Sequence, residues 1–181
     1  LHIGYLGTID TAYNFKKIAA FISSAIKINK NLHITVMTRS NHNHIIKIFD
    51  DFDVPDQHYT IDFTRNANDL NRVINSFDVC IFYLNENYSI KASMPTKIGE
   101  VLACGVPIAC NNFNDDLIDI FNSKCSILSD FDQLDTNTVL NKLMKFKMDS
   151  DTANSCLDIY IKYFSLEVGC STYNSAYKIY L

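Results

Sequence analysis

The amino-acid sequence predicts an α/β protein built on a doubly wound, mostly parallel sheet of about six strands, with helices on both faces and a helical C-terminus. Three observations lead there. Short runs rich in β-branched and aromatic residues alternate with helical stretches over the first two thirds of the 181 residues. The run at residues 79–84, VCIFYL, is apolar throughout, as a strand buried on both faces must be. From Asp135 onward only helical periodicity is found.

Residues 2–6 form the first expected strand, followed by the turn Gly7-Thr8-Ile9-Asp10. Over residues 14–28, Phe15, Ile18, Phe21, Ile22, Ala25 and Ile26 recur at helical spacing and make one apolar stripe. Residues 32–37 are a second strand, rich in β-branched side chains. A helix over 43–52 ends on the approach to Pro55, because the residues before a proline avoid helical backbone angles. Residues 58–63 are the third strand, and 67–76 a helix that turns Leu70, Val73 and Ile74 inward. The apolar run 79–84 belongs at the sheet centre. A polar loop over 85–94 follows, about ten residues long and longer than an ordinary strand-to-helix connection. The next helix opens at Pro95. Residues 106–110 and 125–128 are two more strands around a helix at 116–122, and the tail divides into helices at 137–146, 151–164 and 172–181. Alternation of this kind gives a Rossmann-like sheet. One domain over 1–181, with a helical segment from about 135, is the simplest division.

The composition narrows the function. A hydrophobic fraction of 48% and a charged fraction of 20% are those of a globular domain with one substantial core. The net charge is −4 with both signs interspersed, and there is no basic stripe of the kind a nucleic-acid binder carries. An anionic ligand must therefore be held by a local site. The six cysteines form no CxxC pair and several sit in apolar runs, so they read as free structural thiols in a reducing compartment. No apolar run is long enough to span a bilayer, and no signal peptide opens the chain. The start at Leu1, already in a strand-like run, reads as a fragment of a longer protein. The expected compartment is the cytoplasm, with the inner membrane face as a peripheral location.

Residues 93–112, SMPTKIGEVLACGVPIACNN, carry the chemistry. In a doubly wound sheet, ligands bind beyond the carboxyl ends of the strands, where helix N-termini point. The loop ending in Ser93 and Met94 lies at such a place. Pro95 suits a helix start, where a missing N–H costs nothing. The free N–H groups of the first turn, around Thr96, suit a diphosphate. Ile98, Val101, Leu102 and Gly105 share a face that should pack on the sheet, while Lys97 and Glu100 share another. A carboxylate there can accept two hydrogen bonds from the vicinal diol of a ribose, and Lys97 can bring positive charge to phosphate oxygens. Gly105 followed by Pro107 closes the helix.

The run Pro95-Thr96-Lys97-Ile98-Gly99-Glu100-Val101-Leu102-Ala103-Cys104-Gly105-Val106-Pro107 resembles the donor-site motif of the GT-B glycosyltransferases of the large retaining group (glycosyl transferases group 1, family 4-like), written P-x-K-x-x-E-x-L-A-x-G-x-P. The resemblance implies that Glu100 binds the ribose hydroxyls. A second glutamate frequent in that family eight residues upstream is replaced by Ala92. Ile3-Gly4-Tyr5-Leu6-Gly7-Thr8 resembles the strand and glycine turn that approach the donor diphosphate. Asn111-Asn112-Phe113-Asn114-Asp115-Asp116 resembles the N-x-G-D segment, with Asn114 where glycine is common. The terminal helices resemble the segment that packs back toward the other domain. The resemblance further implies a two-domain enzyme whose N-terminal acceptor domain is absent here. Its partners are a nucleotide-sugar donor, which is a substrate and not a cofactor, and a glycan or lipid-linked acceptor. The resemblance also implies a retaining reaction that needs no metal. Transfer would serve polysaccharide or glycoconjugate synthesis, and the isolated fragment is not expected to be active.

Blander readings stand beside these. Lys97 can be an i,i+3 partner of Glu100; Gly7 and Thr8 can be an ordinary turn. Arg39, at the ligand edge of the second strand, can pair with a phosphate or face solvent. Lys16 and Lys17 read as surface cations, His42 and His44 as loop residues, and the late tyrosines as packing. Nucleobase contacts are expected from backbone near residues 62–65. The rival functions are a nucleotide-sugar epimerase of the same architecture and a non-catalytic α/β nucleotide-binding module.

Overall fold

In the computed structural model, residues 1–9, 12–64, 66–121, 124–129 and 135–179 are described. Asp10 of the first turn, Arg65 of the base-contact loop, Asn122 at one helix end and Tyr180 and Leu181 at another lie outside them. The first half of the chain runs β1 (His2–Leu6), α1 (Phe15–Ile28), β2 (His33–Met37), α2 (His42–Asp51), a 3-10 turn (Asp56–His58), β3 (Tyr59–Asp62) and α3 (Ala67–Ile74). It continues as β4 (Val79–Phe82), α4 (Tyr88–Lys91), α5 (Thr96–Ala103), β5 (Ile108–Cys110), α6 (Asp116–Ile120) and β6 (Ser126–Leu128). The tail comprises α7 (Thr136–Met148), α8 (Thr152–Ile159), a π turn (Tyr160–Phe164) and α9 (Leu166–Ile179).

The strands pair in the order β3-β2-β1-β4-β5-β6, and every pairing is parallel. The expected Rossmann-like sheet is the one observed. Its order reverses between β1 and β4, where Ile3 pairs with Val79 and Gly4 with Cys80. That reversal opens a crevice at the carboxyl edge.

The uniformly apolar β4 run is explained by two cores. Val79, Ile81 and Tyr83 pack with α1, α2 and α7 on one face. Cys80, Phe82 and Leu84 pack with α5, α6 and α8 on the other. The apolar stripe of α1 is buried at all six expected positions. On the opposite face Ile98, Val101 and Leu102 are fully buried, as their shared helical face requires. Leu70 and Val73 are only partly buried beside Ile74. None of the six cysteines is in a disulfide, and Cys80, Cys110, Cys125 and Cys156 are buried. Burial pushes the Cys110 thiol up to about 12. No helix among the described residues is long and apolar enough to cross a membrane.

Capping sets several boundaries that hydrophobic periodicity misses. Asn14, Asn41, Asn66 and Asp135 each accept a backbone N–H from the first turn of the following helix, so Asn14 caps α1 instead of joining it. The same rule puts His42 and His44 inside α2, not in a loop. The loop at 85–94 is not wholly irregular, because Asn87 caps the single turn α4. The last helix begins six residues before the expected position. Ser165 is extended (ψ 152°), and its hydroxyl accepts the Val168 N–H and starts α9 at once. At the end of α5, Gly105 adopts φ 71°, which a side chain would disfavour. Gly105 N–H reaches Leu102 O at 2.9 Å and Val106 N–H reaches Val101 O at 3.2 Å, a Schellman closure.

Candidate functional site

The crevice is floored by strand ends and shaped by two loops fastened from several directions. After β1, the Tyr5 hydroxyl donates to Thr8 O at 2.8 Å and Gly7 N–H donates to Met37 O at 3.2 Å. Ile9 N–H donates to Ser40 Oγ at 2.7 Å, and Ser40 N–H to Thr38 Oγ1 at 3.0 Å. A Cβ on Gly7 would stand 3.3 Å from the Tyr5 hydroxyl, so glycine lets the turn lie close over the ring. Further along, Tyr13 bridges Leu84, and Asn14 N–H donates to Tyr83 O at 2.8 Å.

The second loop, from β4 to α5, is held by two asparagines. Buried Asn111 takes the Leu84 N–H on Oδ1 and gives Nδ2–H to Leu84 O, both at 2.9 Å. Asn114 Nδ2 donates to Ser93 O at 3.3 Å, while its Oδ1 accepts Asp116 N–H. The Ser93 hydroxyl is bonded to Ile90 O. Pro95 stands at the α5 N-cap, and no side chain caps that helix. The N–H groups of Thr96 and Lys97 therefore stay open to donate to a ligand.

Four of the expected residues meet in one cavity of about 330 Å³. Gly7, Thr8, Arg39 and Lys97 line it, together with the apolar Leu6, Met37, Phe63 and Leu70. The Arg39 guanidinium lies over the Phe63 ring at 5.1 Å, a cation–π contact. A neighbouring hollow of about 630 Å³ shares Thr38, Arg39 and Phe63 and adds His42. Ser93, Met94, Pro95, Thr96 and Glu100 do not line the cavity. Glu100 is exposed on α5 and, among the described residues, makes no ion pair with Lys97. The i,i+3 pair reading of Lys97 is thus not what the structure contains. Lys16 and Lys17 also lie outside the cavity: Lys17 sits 6.0 Å over Tyr83, and Lys16 faces a separate hollow with His44.

Charge and shape agree on what the cavity can take. Two cations face a half-open, partly apolar space at the switch point, with the uncapped N-terminus of α5 beginning one residue before Lys97, which suits a nucleoside carrying phosphates. Among the described residues its lining contains no Asp, Glu, His or Cys, and its charged side chains are the cations Arg39 and Lys97. Among the described residues no cluster of three His, Cys, Asp or Glu side chains could hold a metal ion. A larger cavity of about 750 Å³ lies elsewhere, along β6 between α6 and α7, and none of the expected site residues lines it. Sequence reasoning singled out the segments that hold Tyr5, Phe63, Asn111 and Asn114 but assigned no role to these side chains. The asparagines carried a signal, since polar side chains directly after an apolar strand often hold loops.

No known family profile matches the chain, and no curated protein matches it in sequence. Solved structures do. A variant of TarM from S. aureus, in complex with fondaparinux, alpha-GlcNAc-glycerol and UDP, superposes with a TM-score of 0.73 at 10% identity, over 96% of this chain and 34% of its own. The C-terminal domain of LpcC, a glycosyl transferase group 1 family protein from Francisella tularensis, gives 0.64 at 11% identity, over 91% and 86%. The pneumococcal O-GlcNAc transferase GtfA, in complex with UDP and GlcNAc, gives 0.67 at 8%, over 98% and 35%. The chain spans about a third of the length of TarM and GtfA. It has the fold of the C-terminal domain of a group 1 glycosyl transferase.

Proposed function

We propose that this chain is the donor-binding half of a GT-B glycosyltransferase, which moves a sugar from a nucleotide-sugar to a glycan or lipid-linked acceptor. The observation that carries this reading is the meeting of Arg39 and Lys97 in one cavity beside the uncapped α5 N-terminus, at the switch point of a sheet with this fold. The motif from Pro95 to Pro107 and the UDP named for TarM and GtfA point the same way.

In transfer, the bond from the anomeric carbon to the diphosphate oxygen breaks, an acceptor hydroxyl oxygen takes its place, and the hydroxyl proton leaves with the diphosphate. The leaving diphosphate gains negative charge as that happens. Lys97, Arg39 and the first N–H groups of α5 supply fixed positive potential for it, an electrostatic contribution that needs no proton transfer. The carboxylate of Glu100, one turn along α5 from Lys97, would accept the ribose hydroxyls, and Gly7 and Thr8 would let the β1–α1 turn approach the phosphates. Ser93, Met94, Pro95 and Thr96 form the approach to α5 and act through their backbone. The acceptor would be bound by a second, N-terminal domain, against which the exposed Leu166, Tyr173 and Tyr177 of α9 would pack. With a lipid-linked acceptor the work would take place at the cytoplasmic face of a membrane.

Calorimetric titration with UDP and with GDP tests the reading. Binding of at least one is expected, weakened by about tenfold in Glu100→Ala with the melting midpoint unchanged, the loss of one charge-assisted hydrogen-bonding group. A folded sample that binds neither nucleotide would remove the donor-site assignment.

A further inference from the structure

Helix α5 meets the C-terminal helical segment at two glycines. A Cβ built on Gly99 would stand 3.2 Å from Phe164 Cβ and 3.3 Å from Phe164 Cδ1. A Cβ on Gly105 would stand 3.2 Å from Ala153 Cβ at the start of α8. At both points the backbone of α5 or of its closing turn rests directly on a neighbour, with no side chain of its own between. Its other face is pinned to the sheet by Ile98, Val101 and Leu102. The helix is therefore held from two sides, and Gly99 lies between the two residues that matter most, Lys97 and Glu100.

Phe164 owes its place to the π turn. Five residues, Tyr160–Phe164, continue α8 with a wider winding, which turns Phe164 to a different side from the one an α-helix would give it. Ser165 then stops the helix, its hydroxyl donating to Ile161 O at 3.0 Å and accepting Val168 N–H at 3.3 Å. A wide turn closed by a bonded, buried serine is an expensive way to continue a helix, and the contact it produces is the one on Gly99.

We propose that Phe164 is a positioning residue of the donor site. Its ring, seated on Gly99, sets the depth of α5 and so the placement of Lys97 and Glu100; the inference rests on the donor-site reading above. Groups that must meet a ligand within about half an ångström depend on such support.

The test uses the whole chain, with UDP affinity by calorimetry and the melting midpoint measured together. Gly99→Ala gains helix propensity but crowds Phe164, two opposing effects on stability, so the melting midpoint is expected to move little. Its methyl meets the Phe164 ring and displaces α5, and UDP affinity is expected to fall by about tenfold. Phe164→Ala should also weaken binding, and Gly99→Ala with Phe164→Ala together should bind better than either alone, because the new methyl fills the vacated space. If Phe164→Ala does not fold, Phe164→Leu paired with Gly99→Ala makes the same comparison. Single variants that bind UDP as the unaltered chain does would overturn the proposal. An unaltered chain that binds neither UDP nor GDP would overturn the donor-site reading instead, and this inference with it.

Discussion

At the amino edge of the sheet, His2 reaches the Ser76 carbonyl through Nδ1 and the Thr35 hydroxyl through Nε2, at 2.9 and 2.8 Å. A carbonyl only accepts, so Nδ1 carries the proton and Nε2 takes one from the hydroxyl. His33 repeats the pattern with Gln57 O and Thr60, and Nδ1 of buried His58 meets Leu32 O. Asp78 accepts both the His2 N–H and Lys147 Nζ. At the carboxyl edge the bonds fix loop backbone, while the charged heads of Arg39 and Lys97 face a cavity and Glu100 faces solvent. Both edges are polar. One has its charges and rings matched within the chain and reads as structure; the other turns its charges toward something from outside. Matching, not polarity, separates a scaffold from a site.

Substitutions can break that division or sharpen it. The largest effect is expected where the carboxyl edge behaves like the amino edge. Asn111→Ala would leave the buried Leu84 N–H and C=O without partners, at about 1–3 kcal/mol each, and a urea unfolding series should show the sum. Asp78→Ala comes next, costing roughly 1–3 kcal/mol through the lost His2 and Lys147 bonds, with UDP affinity unchanged in the same preparation. If UDP binding also fell, the two edges would not be independent. Lys97→Ala should do the opposite, moving stability by no more than about 0.5 kcal/mol while weakening UDP by about tenfold, and steeper salt dependence in the unaltered chain would mark the charge as the cause.

The smallest effect is a pH slope. Burial lowers the His2 pKa from its ordinary 6.5, although the Ser76 carbonyl works against it. The unfolded chain then binds a proton more readily than the folded one below 6.5, so this contribution is present above that pH and is lost as the pH falls through it to the folded value. Burial alone would raise Asp78, but the His2 N–H and Lys147 outweigh it and lower its pKa below 3.8. Its contribution disappears only under stronger acid, as pH falls from 3.8 to the folded value. His2→Gln should flatten the stability profile just below pH 6.5 and leave the acid limb in place.

Much of the fold was legible because burial imposes periodicity. The α1 stripe, the apolar β4 run and the α5 face at Ile98, Val101 and Leu102 are each a direct imprint of packing. What was not legible depends on single hydrogen bonds. Nothing in the hydrophobic pattern marks Asn87 as the cap of α4 or Ser165 as the start of α9. The site followed the same rule. Lys97, Gly7, Thr8 and Arg39 were found from their place at strand and helix ends, and the structure brings them together. Phe63 was passed over because its role under Arg39 depends on two strands that are distant in sequence and adjacent only in the sheet.

The strand order also governs how the chain must assemble. β1 finds β2 about thirty positions along the sequence, yet its other neighbour, β4, begins with Val79 opposite Ile3. Loop closure over the second distance must be met before the central pair gives anything back. The half made of β1, β2 and β3 can form first by local steps, with the crevice arriving only when β4 docks. Refolding should therefore be slow for the chain's length, with protection of the first-half amides appearing ahead of any capacity to bind nucleotide.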